Sequence, residues 1–530
     1  MLKEGATATF ERVMDALAGH MRVAHPILKI LIISAPAVLA IIALRSVDYD
    51  LFARTAMGRL ISTNGFLPSR DPFAFTPTKT FWYDHEWFAG LVFYYCTSWL
   101  GDIGLLALSV LFCVLTLFLF YQAQHTYATT DTCSKTNSPH FVLLILAALP
   151  SSFIWTSIIR AQVFTFLFWA IVLFCLRRYR GSSGMLSLVL LPPVFVIWAS
   201  AHAGFVVGLG YLAIFCLVTL LDNNLRTIPI VACTLLAIAA TLLNPYGIEY
   251  WGFVFEAVLK DRSLVTEWHP TSLLARHNLL LLPFTALMLS ALWKRPKSVT
   301  LEGMIFALLS FWFALKHQRH VPFFYFSIAV YFSGFFADAC QALKNRWLHY
   351  YQLLSRSVTF VIAGVSTLTI VALAWTLSKA SQFNLDYSHM PVRAVEWLRQ
   401  SKYSGKLLVH FNEGSYALWR LYPKFLISLD GRYEEVYPDQ TVEQVLQAYN
   451  TYSPSHSQTI DEIAPDFVLL CKASTPEVQA QQFGSEWQVL YRANGCSVLG
   501  KADIDGSGEV IESGDSHATP DLRRMWEPMF

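Results

Sequence analysis

Long apolar runs separated by short polar segments fill most of the first 378 residues of the chain. A helix needs about 20 mostly apolar residues to cross the hydrocarbon core of a bilayer. Several runs are shorter than this, so one or two of them are predicted to be tilted or re-entrant. The pattern predicts a mostly α-helical, polytopic membrane domain over residues 1–378, with about eleven transmembrane helices. The predicted spans are residues 27–45, 103–122, 141–159, 163–176, 185–201, 203–221, 227–243, 279–293, 301–315, 321–338 and 357–377.

The pattern changes after residue 378, where short apolar runs bounded by turn residues alternate with amphipathic stretches. Short apolar runs of this kind are typical of strands, and their alternation with helices predicts a small α/β domain over residues 379–502. The predicted strands are 406–411, 425–429 and 467–471, and the predicted helices are 391–400 and 441–449. The tail, residues 503–530, is rich in Gly, Ser and Asp and is predicted to be disordered.

Clusters of Lys and Arg in the short loops predict the orientation, because cytoplasmic loops carry an excess of these residues. With a cytoplasmic N-terminus, the clusters at 177–180, 294–297 and 344–346 all fall on the cytoplasmic side. The long first loop, residues 46–102, and the α/β domain are then predicted to be periplasmic.

Composition agrees with a membrane protein and excludes other classes. The chain is 55% hydrophobic and 14% charged, whereas soluble domains carry about 25% charged residues. The net charge of +2 provides no field that would attract nucleic acid. The nine cysteines lack the spacing of zinc sites. Cys471 and Cys496 both lie in the predicted periplasmic domain and are candidates for a disulfide, although sequence does not set connectivity.

The first loop contains the sharpest acidic cluster, Asp48-Tyr-Asp50 followed later by Asp84-His85-Glu86. A carboxylate at the membrane boundary is partly desolvated, so its pKa can rise toward the range of a general base. The alternative is a solvated loop with acidic caps. Asp48 and Asp50 can also bind a divalent ion such as Mg or Mn, with His85 or Glu86 nearby as further ligands. Two carboxylates, however, supply only a few of the ligands that such an ion requires.

Four basic side chains lie at the predicted outer ends of spans, and guanidinium groups bind phosphate well. The alternative is that each one snorkels to the interface. Four on the outer side run against the positive-inside bias and favour a functional set. They are Arg160, Arg276, Lys316 and Arg319.

Several segments of the sequence resemble a known family. The segment DYDLFARTAMGRLISTNGFLPSRDPFAFT followed by WYDHEWF is similar to the first periplasmic loop of bacterial GT-C glycosyltransferases, polytopic enzymes that take a sugar from a polyprenyl-phosphate carrier. The soluble segments FNEGSYALWRLYP and SLDGRYEEVYP resemble the C-terminal periplasmic domain of an uncharacterised subgroup. The resemblance continues at Arg160-Ala-Gln162, at residues 198–204 and 244–247, at Glu267-Trp268 and at Arg319-His320.

The resemblance implies an inverting transfer of a hexose or pentose from a polyprenyl-phosphate-linked sugar to a lipid, glycan or protein acceptor. The reaction is expected at the periplasmic face of a bacterial inner membrane, among membrane lipids and without a certain cofactor. The family's acidic motif covers Asp48 and Asp50, and Asp50 is slightly favoured as the base. The remaining substrate-pocket candidates are His85, Glu86, Gln162, His202, Glu267, Asp430 and Arg432.

Several of these residues can instead have a purely structural role. A lone His such as His202 is more often a hydrogen-bonded packing residue. Glu267 can be a loop anchor, and Asp430 with Arg432 can form a structural ion pair. For the whole chain, the rivals are a transporter or flippase of lipid-linked intermediates, which would place polar groups at the bilayer midplane, and a non-catalytic scaffold that tolerates loss of either first-loop Asp.

Overall fold

The computed structural model describes most of the chain, and the predicted span 357–377 and Arg276 lie outside the described residues. The described residues are 26–125, 138–155, 158–181, 184–221, 227–260, 262, 265–272, 278–346, 385–450, 452, 455–471, 483–493, 495–502, 511–512 and 526.

The first part of the chain is a bundle of helices. Its core contains α13, which is buried on all sides over its whole length. The helices are α1 (Pro26–Leu44), α2 (Tyr49–Asn64), α3 (Trp87–His125), α4 (Ser138–Trp155), α5 (Gln162–Arg180), α6 (Met185–Val189), α7 (Leu191–Ala201), α8 (Phe205–Leu221), α9 (Thr227–Thr241), α10 (Glu249–Leu259), α11 (Leu281–Lys294), α12 (Leu301–Lys316), α13 (Val321–Tyr331) and α14 (Ser333–Arg346).

Two helices of the described chain are long and apolar enough to cross a membrane, Trp87–Gln124 and Gln162–Arg180. A third span results if Gln318–Tyr331 and Ser333–Ala342, which are bent by 63° at a short break, are counted together. The prediction of about eleven transmembrane helices is therefore wrong for the residues that can be described, where two or three helices are long and apolar enough to span.

The physical reason is length. Six further apolar helices have 10–17 residues, and a helix of 17 residues is only about 26 Å long, against a hydrocarbon core of about 30 Å. Proline at Pro36 and Pro150 lies inside two of the predicted spans, where it removes a helical hydrogen bond. Apolar composition thus located most of the apolar helices but overstated how many are long enough to span alone, and α2 and α10 lie in segments that were predicted as loops.

Helix α2 follows the first predicted span and lies tightly against α3. Its N-cap is Asp48, whose side chain accepts a hydrogen bond from the backbone N–H of Asp50, and it ends at Gly65 in the left-handed conformation. A Cβ atom at Gly58 would lie 2.1 Å from the carbonyl oxygen of Gly90. The two helices therefore approach to backbone contact, and this contact fixes α2 beside the bundle.

The C-terminal part is α/β, as the sequence predicts, and its one mixed sheet has six strands where three were predicted. Strands β1 (Ser46–Val47) and β2 (Ile158–Ile159) lie in the first part of the chain. The strands of the C-terminal sheet are β3 (Gly405–Leu408), β4 (Phe425–Ile427), β5 (Phe467–Cys471), β6 (Trp487–Ala493), β7 (Cys496–Lys501) and β8 (Ile511–Glu512), and the helices are α15 (Val392–Gln400), α16 (Phe411–Leu421), α17 (Tyr433–Val436), α18 (Asp439–Tyr449) and α19 (His456–Ile463). The strand order is β4-β3-β5-β7-β6-β8, with parallel pairs at β3–β4, β3–β5 and β6–β8 and antiparallel pairs at β5–β7 and β6–β7.

Cys471 and Cys496 form a disulfide. They face one another directly in the β5–β7 ladder. The pairing that the sequence left as a candidate is thus confirmed.

The first loop continues the sheet of the C-terminal domain. The backbone N–H of Phe75 donates to the carbonyl of Ile427 at 3.0 Å, and the N–H of Ile427 donates to the carbonyl of Phe73 at 2.9 Å. Further along, the N–H of Lys79 donates to the carbonyl of Val436 at 2.8 Å. The loop therefore pairs with the free edge of β4, and the two parts of the chain are joined by backbone hydrogen bonds.

Three described residues belong to the tail that the sequence predicts to be disordered. Ile511–Glu512 pair with β6. The indole of Trp526 stacks on Phe52 with ring centroids 5.4 Å apart and donates a hydrogen bond to Asp102 at 2.6 Å. Disorder stays a prediction for the rest of the tail, which lies outside the described residues.

Candidate active site

A short parallel pair of strands brings Asp48 beside Arg160. Strand β1 (Ser46–Val47) pairs with β2 (Ile158–Ile159), so the next residue along each strand is Asp48 in one case and Arg160 in the other. Oδ2 of Asp48 lies 3.4 Å from Nη1 of Arg160. Because its other oxygen caps α2 at 3.0 Å from the N–H of Asp50, the Asp48 carboxylate is occupied on both sides.

Asp50 lies in the first turn of α2 and is half-buried. Within the described ranges its carboxylate forms no ion pair. Burial, and next the charge of Asp48, raise the pKa of Asp50 well above its ordinary value, against the opposing effect of Arg54 and Arg160. A carboxylate with a raised pKa is a stronger base than an ordinary one, so Asp50 is suited to accept a proton. The structure thus separates the environments of the two aspartates: Asp48 is paired with Arg160, and Asp50 has no such pair among the described residues.

Glu267 lies between two arginines. Its Oε2 is 2.6 Å from Nη2 of Arg160 and its Oε1 is 3.1 Å from Nη1 of Arg319. Burial alone would raise the pKa of Glu267, but the two guanidinium groups lower it. Both arginines remain partly accessible, with side chains 18% and 17% exposed, so an incoming anion can compete for them. Asp48 and Glu267 together balance the charges of Arg160 and Arg319, so an incoming anion has to displace a carboxylate from one of these guanidinium groups.

The ring of Trp268 orders the cations around this group. The guanidinium of Arg319 lies 4.6 Å from the centre of the ring and that of Arg262 lies 4.4 Å from it. Arg262 also pairs with Glu434 of the C-terminal domain, Nε to Oε2 at 2.7 Å. The indole therefore connects the arginines of the membrane part to α17.

A second charged group surrounds Arg54, on the inner side of α2. Arg54 contacts Asp84 at 3.1 Å and Glu86 at 2.6 Å, and it forms a bidentate pair with Glu435 of α17. Its guanidinium is buried. Three carboxylates around one buried arginine leave excess negative charge, which a further cation reduces.

His85 is that cation. Its Nδ1 lies 3.4 Å from Glu435 and its Nε2 lies 3.5 Å from Glu86. Burial alone would lower the pKa of His85, but the two carboxylates raise it to about 10. The same contacts work in the opposite direction on Glu86: burial would raise its pKa, but Arg54 and His85 lower it to about 2. The imidazolium and both carboxylates are therefore charged at neutral pH.

His202 differs from His85, because its hydrogen bonds require the neutral ring. Its Nδ1 accepts from the backbone N–H of Gly204 at 2.8 Å and lies 2.9 Å from the hydroxyl of Thr165. Its proton is therefore on Nε2, which lies 3.6 Å from Glu86. Burial lowers the pKa of His202 to about 3. The hydrogen-bonded packing residue that the sequence allowed is present, in contact with the charged group.

Asp430 and Arg432 form the ion pair that the sequence offered as an alternative. Arg432 contacts Asp430 at 2.7 Å and Asp71 of the first loop at 2.8 Å, and all three side chains are 0% exposed. Asp430 also accepts from the hydroxyl of Tyr437 at 2.9 Å. This group joins the first loop to the C-terminal domain, and direct contact of either residue with a substrate stays a prediction.

The remaining candidates are Gln162, Lys316 and Arg276. Gln162 begins α5 and is buried, and its Oε1 accepts no hydrogen bond within the part of the chain that the structure describes. Lys316 lies over the ring of Trp312 at 4.5 Å, a ring that is half exposed. That contact is typical of a residue that snorkels to the interface. Arg276 lies outside the described residues.

Sequence reasoning missed the residues that connect the two parts of the chain. Arg54, Arg262, Glu434 and Glu435 were not among the candidates, although the last two lie in the segment SLDGRYEEVYP. Arg54 and Glu435 are 381 positions apart. A buried charge has to be paired, but the sequence does not show which distant residue is its partner.

The residues around Asp48 and Asp50 fit a divalent ion poorly. In the described ranges, no group of three or more His, Cys, Asp or Glu side chains is arranged to hold a metal ion. Arg160 and the end of α2 already occupy Asp48, whereas Mg²⁺ and Ca²⁺ require about six oxygen ligands.

The chain has similar solved structures but no match by sequence. By sequence, the chain matches no family profile and no curated protein. By structure, it is similar to the oligosaccharyltransferase of Archaeoglobus fulgidus in the apo form, with a TM-score of 0.52, 12% identity, and coverage of 90% of this chain and 74% of that chain. The AglB oligosaccharyltransferase of the same organism, in complex with an inhibitory peptide and a dolichol-phosphate, gives a TM-score of 0.51 with 12% identity and the same coverage.

The chain therefore shares the fold of the archaeal oligosaccharyltransferase, with a bundle of apolar helices followed by a C-terminal domain that contains a small mixed sheet. At this identity the likeness establishes the fold alone.

Proposed function

We propose that the protein is an inverting GT-C-type glycosyltransferase that moves a hexose or pentose from a polyprenyl-phosphate donor to a lipid, glycan or protein acceptor. The observation that carries the proposal is the half-buried carboxylate of Asp50, which forms no ion pair among the described residues, near Arg160 and Arg319, two accessible arginines that share Glu267. Sugar transfer from a phosphate needs both components, a base for the acceptor and cations for the departing phosphate.

In the proposed reaction, the carboxylate of Asp50 takes the proton of the acceptor hydroxyl as its oxygen attacks the anomeric carbon. The bond from that carbon to the phosphate oxygen breaks, and its electron pair leaves with the polyprenyl phosphate. Arg160 and Arg319 hold the leaving phosphate, after it has displaced Glu267 from one or both of them. Attack opposite the leaving group inverts the anomeric centre.

The donor class follows from charge and location. A sugar linked to a polyprenyl chain through one phosphate carries one negative charge, and it can replace the single negative charge of Glu267 between Arg160 and Arg319. One of the similar structures holds dolichol-phosphate, a lipid of this type. The proposed location is the periplasmic face of a bacterial inner membrane, which the disulfide Cys471–Cys496 supports, since disulfides persist in oxidising compartments.

The test is complementation of a deletion strain, followed by mass spectrometry of its lipid, glycan and surface-protein fractions. The deletion should remove one sugar from one fraction, and the wild-type gene should restore it. Asp50→Asn should fail to restore it while reaching the membrane in normal amount. Asp338→Asn, at an exposed position on α14, is the matched control and should restore it. Restoration by Asp50→Asn would favour the scaffold alternative, and an unchanged sugar content in the deletion strain would contradict the proposed function.

A further inference from the structure

The C-terminal domain touches the proposed base through one glycine. An ideal Cβ built on Gly431 would lie 2.0 Å from Oδ1 of Asp50 and 3.3 Å from its Cγ. It would also lie 2.9 Å from the hydroxyl oxygen of Ser415, which accepts the backbone N–H of Gly431 at 3.0 Å. The carboxylate of Asp50 therefore occupies the space that any other residue at position 431 would fill.

Backbone conformation does not require glycine here. Gly431 is absent from the described glycines with positive φ, a group that includes Gly405 and Gly484 in the same domain. An alanine could therefore adopt the backbone angles of position 431. What excludes a side chain is the carboxylate on α2.

The segment around Gly431 is held so firmly that it cannot retreat. On one side, the next residue, Arg432, is buried between Asp430 and Asp71. Three and four positions after the glycine, Glu434 and Glu435 pair with Arg262 and Arg54 of the membrane part. Because moving this segment would break several buried ion pairs, a Cβ at position 431 would displace the side chain of Asp50 instead.

We propose that Gly431 is a positioning residue for Asp50, so that the C-terminal domain completes the active site by fixing where the base can lie. The proposal rests on the proposed function, because it assigns to the C-terminal domain a role in that same reaction. It differs from a role in acceptor binding alone, since it predicts that changes at position 431 slow the reaction itself.

The first test is Gly431→Ala, assayed in nanodiscs with a radiolabelled polyprenyl-phosphate hexose and the acceptor fraction extracted from the deletion strain. Displacing a reacting group by about 1 Å costs on the order of 100-fold in rate, so kcat should fall about 100-fold while the KM for the donor stays within about threefold. The clash is with the ends of two side chains, so thermal stability should stay close to that of wild type.

Two other glycines provide matched controls. A Cβ at Gly252, on α10, meets nothing within 4 Å, so Gly252→Ala should keep both activity and stability. A Cβ at Gly414 would lie 1.9 Å from the backbone carbonyl oxygen of Leu429, so Gly414→Ala should lose stability. Wild-type kcat in Gly431→Ala, or a loss of stability as large as that of Gly414→Ala, would overturn the positioning role.

A second test does not depend on activity. Cysteines form a disulfide when their Cβ atoms are about 3.5–4.5 Å apart. A Cβ at position 431 would lie 3.3 Å from Cγ of Asp50, which is one bond from Cβ of that residue, so the two positions are close enough to test. The double variant D50C/G431C, oxidised in membranes and cut by protease between the two positions, should keep its fragments together until it is reduced, whereas each single variant should not. Failure to cross-link overturns the inference even if Asp50 proves essential. If the cross-link forms but deletion of the gene changes no sugar, the contact between the two positions is supported and the proposed function is rejected.

Discussion

Arg432→Met should weaken the junction between the first loop and the C-terminal domain. Arg432 is 0% exposed, forms two hydrogen bonds to Asp430 at 2.7 and 2.8 Å, and contacts Asp71 at 2.8 Å. Methionine fills much of the same volume between Phe73 and Trp82, so the substitution mainly removes charge. It leaves two buried carboxylates without their cation.

The magnitude follows from what those carboxylates retain. Removing one partner of a buried ion pair costs about 3–5 kcal/mol. Asp430 keeps the hydroxyl of Tyr437, and Asp71 keeps the backbone N–H groups of Phe73 and Ala74, so the expected loss is about 3 kcal/mol, at the lower end of that range. For a cooperative unit of 150–250 residues this lowers Tm by about 6–12 °C.

Differential scanning fluorimetry in detergent micelles measures this loss, with Arg399→Met as control. Arg399 pairs with Glu396 within α15 and is 28% exposed, so its loss should cost at most about 1 kcal/mol. The deficit of Arg432→Met should also shrink as pH falls. Burial raises the pKa of Asp71 and Arg432 lowers it, so without the arginine this carboxyl protonates at higher pH, and the unpaired charge disappears on acidification. Equal Tm values for the two variants, or a deficit that grows at acidic pH, would refute the reasoning.

Three further predictions concern the site and its support. Burial and the charge of Asp48 raise the pKa of Asp50. Because Asp48→Asn removes the effect of that charge and frees Arg160, the acidic limb of the pH profile of kcat/KM should move to lower pH. A move to higher pH would contradict the assignment of Asp50 as the base. Arg319→Gln removes a charge-assisted contact worth about 1.5–3 kcal/mol and should raise the KM for a polyprenyl-phosphate hexose about 10- to 100-fold, while Lys297→Gln, on a predicted cytoplasmic loop, should leave the KM unchanged. Trp526→Ala removes the indole from its contacts with Phe52, Trp419 and Asp102 and should lower the free energy of unfolding by about 3–5 kcal/mol, measured by thermal or denaturant unfolding; a change below about 1 kcal/mol would show that the tail contributes little.

The features that local sequence determines were predictable. Apolar runs located the helices of the bundle, and the alternation of short strands with helices identified the C-terminal α/β domain. The number of full-length spans was not predictable in this way, because composition does not show where a helix ends. Pro150, for example, lies inside a predicted span and falls near the end of α4, which stops at Trp155.

Contacts between distant segments were beyond sequence reasoning. The loop that precedes α3 pairs with the edge of β4, and Arg54 pairs with Glu435 across 381 positions. Each of these residues had several chemically acceptable partners in the sequence. Their pairing follows from packing of the whole chain, which places α17 over the first turns of α2.

Contacts between distant segments also give Asp48 and Asp50 different environments, which bears on which of them is the base. By sequence, Asp48 and Asp50 are acids two positions apart, and the family resemblance favours Asp50 only slightly. In the fold, the pairing of β1 with β2 brings Arg160 to Asp48, and the cap of α2 uses the second oxygen of the same carboxylate. Asp50 lies instead against the C-terminal domain at Gly431, and it forms no ion pair among the described residues. Burial and the neighbouring negative charge of Asp48 raise its pKa, so we propose Asp50 as the base.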